Sequence, residues 1–170
     1  MCYYCGCRDM PLIREFIAEH EAVTDLAAEA AQALRERDVE RCDMLLVRLA
    51  ELLEAHWRGE EDGLFAAMRG DETYTGYVDE LLAEHRELRA LLARADTHRT
   101  DDREHLLAAI DELHRHIAKE EDGLFPASLT ALSGEEWNRA FEAWRRAHPG
   151  AAEPEPRQDA GMAAAAVPDE

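Results

Sequence analysis

His56–Phe65 reads HWRGEEDGLF, and His116–Phe125 reads HIAKEEDGLF. The histidine and the letters EEDGLF recur, and only the three letters between them differ. A histidine and a glutamate four residues apart lie about 40° apart around a helix, so both face one side of it. In the first copy that side also carries Leu49, Leu52 and Leu53, and in the second it carries Leu113 and Ile117. Each phrase therefore puts a histidine and its Glu (Glu60, Glu120) on an apolar, inward stripe. The repeat extends upstream: EFIAEHEAVTDL (15–26) aligns with ELLAEHRELRAL (80–91), matching His20 to His85. The chain reads as two copies of a helical hairpin. Two hairpins that bury their stripes against each other make an all-α, up-down-up-down four-helix bundle.

Helical apolar spacing predicts helix one over about 9–36, with a turn at Arg37-Asp38. Asp38 is suited to cap helix two, which runs to about Arg69. RGDETYTGY (69–77) reads as a loop by its Gly, Asp and Thr content. Helix three is expected from about Tyr77 to Ala95 and helix four from about Asp102 to Ala127. Ser133 and Glu136 have capping-box spacing. Trp137, Ala140, Phe141 and Trp144 then form the stripe of a short C-terminal helix. The expected organisation is a Cys-rich segment (1–8), a folded unit (9–147) and a disordered tail (148–170) rich in Ala, Pro and Glu.

The chain has 38 acidic and 19 basic residues, a net charge of −19, so its surface is unsuited to nucleic acid or anionic membranes. It carries no signal-peptide pattern and no apolar run of transmembrane length, and a cytoplasmic protein is expected. In that compartment Cys2, Cys5, Cys7 and Cys42 stay reduced.

Antiparallel helices bring residues level when they lie equally far from the turn that joins them. The midpoint of His20 and His56 is 38, that of His56 and His85 is 70.5, and that of His85 and His116 is 100.5. Each midpoint falls in a predicted turn, so four inward histidines share one level with Glu60 and Glu120. Buried without partners, each would cost a few kcal/mol, about 2–7 for a neutral polar group. Imidazoles and carboxylates suit iron, and a pair of metal ions satisfies all six.

The order His20, His56-x-x-x-Glu60, His85, His116-x-x-x-Glu120, with Leu124-Phe125-Pro126, resembles the hemerythrin-like HHE cation-binding family over about 9–147. That resemblance implies a four-helix bundle holding a non-haem di-iron centre, two iron ions that meet oxygen, nitric oxide or peroxide. It implies metal ligation by His20, His56, Glu60, His85, His116 and Glu120. Oxygen-carrying hemerythrins have a second histidine four after the one on helix three, where this chain has Arg89. The four-His, two-Glu set looks closer to bacterial repair-of-iron-centres proteins. Two classes of function follow: a redox-active protein that binds or consumes a diatomic gas or peroxide, and a non-catalytic iron-handling or sensing module.

The remaining candidates read more plainly. Cys2, Cys5 and Cys7 supply three thiolates, fewer than a closed tetrahedral zinc site needs. Cys42 reads as a small core residue. His98, His105, His114 and His148 read as surface or boundary groups, and Trp57 as packing between helices. Glu61, Asp62, Glu121 and Asp122 read as a solvated acidic rim. Glu19 and Glu84, each preceding a histidine, are placed to accept hydrogen bonds behind the site.

Overall fold

The computed structural model describes residues 10–150. The expectations for Cys2, Cys5, Cys7 and the tail beyond Gly150 lie outside them. Every regular element among the described residues is helical. Helix α1 spans Pro11–Glu36, with proline in its first turn. It ends at Arg37, whose left-handed φ of 59° turns the chain while its N–H bonds to the carbonyls of Ala33 and Leu34. Asp38 then accepts from the Arg41 N–H at 3.2 Å, as its cap position predicts.

Helix α2 (39–68) is Val39–Gly59, a π-helical turn at Glu60–Phe65, and Ala66–Met68. Helix α4 (100–131) is built alike: Thr100–Lys119, a π-helical turn at Glu120–Leu124, and Phe125–Ala131. Both π turns fall on EEDGLF, and apolar periodicity does not foresee them. Such turns commonly mark functional positions because they re-aim side chains within a helix. Helix α5 is Gly134–Ala147, and its predicted Ser133–Glu136 capping box is present.

Helix α3 differs from expectation. It spans Glu72–Arg94, so most of the predicted loop is helix. Asp71 accepts from the Thr73 N–H at 2.8 Å and starts the helix one and a half turns early. The Thr75 hydroxyl bonds back to the Asp71 carbonyl at 3.2 Å, and the Tyr77 hydroxyl donates to the Lys119 carbonyl at 2.7 Å. Residues that favour turns in isolation are thus held helical by a cap and a tertiary bond.

Helix α1 packs along α2 and α4, while α3 packs against α2 and α4. The interior divides into two apolar clusters. One contains Val23, Ala30, Leu49, Leu53, Leu106 and Leu113; the other contains Ile13, Phe16, Leu64, Leu81, Leu124 and Trp144. His20 on α1 and His85 on α3 lie between the two clusters in sequence, while His56 and His116 lie at the end of the first cluster on α2 and α4. Helix α5 lies across α2 and its π turn. Gly59 and Gly63 permit this approach: a Cβ on Gly63 would meet the Ala140 carbonyl oxygen at 2.8 Å. No described helix is long and apolar enough to cross a membrane.

Candidate metal centre

One residue from α1 (His20), one from α3 (His85) and a His-Glu pair from each of α2 and α4 converge. All six are buried, and Glu60 and Glu120 are fully so. His20, His56, Glu60 and Glu120 form one group of potential metal donors, and Glu60, His85, His116 and Glu120 form a second. In each group the donor atoms lie within 4.8 Å of one another, and both glutamates belong to both groups.

Every histidine Nδ1 faces a carboxylate outside this centre. His56 meets Glu19 at 2.7 Å, His116 meets Glu84 at 2.7 Å, His85 meets Glu61 at 2.9 Å and His20 meets Glu121 at 3.1 Å. An ionised carboxylate only accepts, so each Nδ1 carries a proton and each Nε2 is the nitrogen directed inward, free to bind a metal once its own proton leaves. The carboxylates are held in turn. Trp144 Nε1 donates to Glu19 at 2.7 Å, Lys119 Nζ to Glu84 at 2.5 Å, and Arg89 to Glu61 at 3.4 Å.

The inward atoms fit a cation. The Nε2 atoms of His85 and His116 lie 2.9 Å apart, a separation that a proton bridges in the metal-free centre and that two donors of one cation would also adopt. His56 Nε2 is 3.2 Å from Glu60, His20 Nε2 3.2 Å from Glu120, His116 Nε2 3.1 Å from Glu120 and His85 Nε2 3.6 Å from Glu60. Yet both oxygens of each glutamate and His20 Nε2 have no hydrogen-bond partner, so the close approach is not aimed as hydrogen bonds. Adjacent donors bound to one metal at about 2.1 Å stand about 3 Å apart, as these do. Four orphaned carboxylate oxygens in a buried space are costly without a cation.

Charge in the metal-free centre agrees. Burial alone would lower the histidine pKa values. The Glu60 charge overcomes this for His56, and the neighbouring carboxylates of Glu120 and Glu121 overcome it for His20. The Glu120 charge holds His116 up to about 9. Burial would likewise raise Glu120, but the His116 charge pulls it well below the usual carboxylate range. The centre therefore holds protons where a metal would bring positive charge.

Aromatic rings close the centre. Phe125 stacks on His20 at 5.8 Å, Phe65 on His85 at 5.5 Å and Trp57 on His85 at 5.0 Å, while Phe16 meets His56 edge-on at 5.6 Å. Trp57 thus packs between helices as expected, and it does so on a histidine of the centre.

The structure brings together all six residues singled out from sequence, and Glu19 and Glu84 accept behind His56 and His116 as foreseen. The acidic-rim reading is corrected for Glu61 and Glu121. A regular helix turns a residue five positions on about 140° away from the histidine. That rotation does not carry these glutamates to water; it carries them to the ring N–H of a histidine on a neighbouring helix. Trp144, Lys119 and Arg89 were missed as partners of these carboxylates. The exact recurrence of the second glutamate was the available signal for Glu61 and Glu121; nothing in the pattern marked the other three. His148 is a boundary residue, with Nε2 3.2 Å from Glu19.

Among the described residues, which are helical throughout their regular elements, two buried His/Glu donor groups share both carboxylates and could each hold a metal cation. Residues 12–128 match the hemerythrin HHE cation binding domain, and the chain belongs to that family. No match to the chain was found among curated proteins or solved structures.

Proposed function

We propose that this protein holds a non-haem di-iron centre within an up-down-up-down four-helix bundle, and that the centre binds or reacts with oxygen, peroxide or nitric oxide. The observation that carries this reading is the sharing of Glu60 and Glu120 between two donor groups. A carboxylate has two oxygens and can bridge two ions, whereas each imidazole here offers one Nε2. His20 and His56 would then serve one ion, and His85 and His116 the other. When bound, such a pair supplies electrons and open coordination positions to a small oxidant.

The chain's own residues do the rest. Glu19, Glu61, Glu84 and Glu121 fix the tautomer and aim of the four imidazoles, which also makes them more basic donors. Phe16, Phe65, Phe125 and Trp57 exclude water from the ring faces. Two histidine donors for each ion leave positions a small ligand can take. The chain's negative field does not hinder neutral gases or hydrogen peroxide. The test is iron content and the absorption spectrum of protein produced with iron, before and after peroxide. Two irons per chain with oxo-bridged absorption is expected; one iron or none overturns the reading.

A further inference from the structure

The surroundings of the two donor groups are unlike. Around His20 and His56 lie Phe16, Phe125 and, through Glu19, the α5 residue Trp144. Beside His85 and His116 a groove of about 730 Å³ runs between α3 and α4. His85, His116 and Trp57 line it, so it borders one half of the centre. Its walls are Leu88, Leu91 and Leu113, and they stand apart because Ala90, Ala108 and Ala109 are small. Diatomic gases and hydrogen peroxide have no need of such a space. Sites of about 300–1,000 Å³ hold organic ligands of cofactor or drug size.

The groove's charge selects among such ligands. Of the carboxylates that line it, Glu84 is paired with Lys119 and Glu112 with Arg115, which leaves Glu87 beside Arg94 and His105 in a chain of net charge −19. The lining offers an anion no cluster of positive charge and the whole chain's field repels it, so an anionic amphiphile such as a fatty carboxylate is disfavoured there, whereas a neutral molecule is not.

We propose that the α3–α4 groove binds a neutral organic molecule with an aliphatic or aromatic body and a terminal oxygen function, such as an organic hydroperoxide or alcohol. The apolar body lies along Leu88, Leu91 and Leu113, and the oxygen end points to His85 and His116. The orientation of the oxygen end rests on the di-iron reading, because a hard oxygen donor is what an iron at that half would take. The apolar contacts do not depend on it.

The experiment is calorimetric titration of the purified full chain with hexan-1-ol and with hexanoate, alongside iron analysis of the same preparation. One saturable hexan-1-ol site per chain is expected, with hexanoate at least about tenfold weaker. Ala109→Phe, within the groove, and Ala90→Phe, at an exposed position on its wall, should each weaken hexan-1-ol at least about tenfold. Because Ala90 is exposed, its variant keeps the test valid even if Ala109→Phe disturbs packing. Absence of saturable binding, equal binding of hexanoate, or indifference to both substitutions overturns the proposal. Two irons per chain without hexan-1-ol binding would discard the groove and leave the metal reading standing. Groove-dependent hexan-1-ol binding in protein that takes up no iron supports the groove and overturns the metal reading alone.

Discussion

Glu61 Oε1 lies 2.9 Å from His85 Nδ1, which ties the second glutamate of one hairpin's phrase to the histidine of the other hairpin. Glu121 does the same for His20 at 3.1 Å. The phenylalanine that ends each phrase follows the same exchange, Phe65 on His85 and Phe125 on His20. Each copy of the phrase thus supplies two donors of its own and supports a third that belongs to the opposite hairpin. Its glycine lets another element approach: α5 at Gly63, and the Tyr77 hydroxyl, 2.5 Å from an added Cβ, at Gly123.

Substitution should separate the neighbouring glutamates by degree. Glu60→Ala and Glu120→Ala each remove a carboxylate common to both donor groups and are expected to leave fewer than two irons per chain. Glu61→Ala and Glu121→Ala keep every inward donor but free a histidine ring, which lowers metal affinity about 10–100-fold. Iron per chain, followed by competition with a chelator, distinguishes the two outcomes. Wild-type chelator resistance in the Glu61 variant would remove its positioning role.

Metal should compete with protons. In the metal-free centre His116 is held up to about 9 by the Glu120 charge. Because this folded-state value exceeds the unfolded one near 6.5, the stabilisation is complete below about pH 6.5 and is lost as pH rises through about 9. The melting temperature of the metal-free protein is therefore expected to fall from pH 6.5 to pH 9.5. Metal entry must displace these protons, so titration in weak buffer at pH 7 should release acid, read by an indicator dye. Metal uptake with no proton release would contradict the charged state of the empty centre.

Two glycines should respond oppositely to alanine. At Gly63 the new Cβ meets a backbone oxygen of α5 at 2.8 Å, and overpacking of this kind costs about 1–3 kcal/mol. At Gly76, inside α3, a Cβ meets nothing within 4 Å, and alanine in place of a helical glycine stabilises by about 0.5–1 kcal/mol. Denaturant melts of the two variants check the sign of each.

Cys42 should be inert in the folded protein. It is 1 % exposed, and burial pushes its thiol up to about 11. In a variant with Cys2, Cys5 and Cys7 replaced by serine, a thiol reagent at pH 8 should label it only after denaturant is added. Rapid labelling of the native variant would show that the α1–α2 contact opens.

The helices were legible in the sequence where the stripe was regular. His20, His56, His85 and His116 fell level because residue counts to a turn survive small errors in where the turn begins. Glu60 and Glu120 followed because four residues on a helix return to the same side. The start of α3 was not legible. Asp71, Thr73 and Thr75 favour either a loop or a cap, and the choice rests on Tyr77 reaching a carbonyl on α4.

What the sequence determined by itself is what periodicity encodes: which residues share a face and at what height. It could not say where a side chain on the edge of that face ends up, because the neighbour across the helix boundary decides it. Glu61 is near enough to water to read as surface, yet the ring N–H of His85 and the Arg89 guanidinium hold it at the centre. The groove beside His85 was equally invisible, since it arises from small residues on two different helices whose opposition no one-dimensional pattern records. Such positions are set by packing between helices, and packing is a property of the assembled chain.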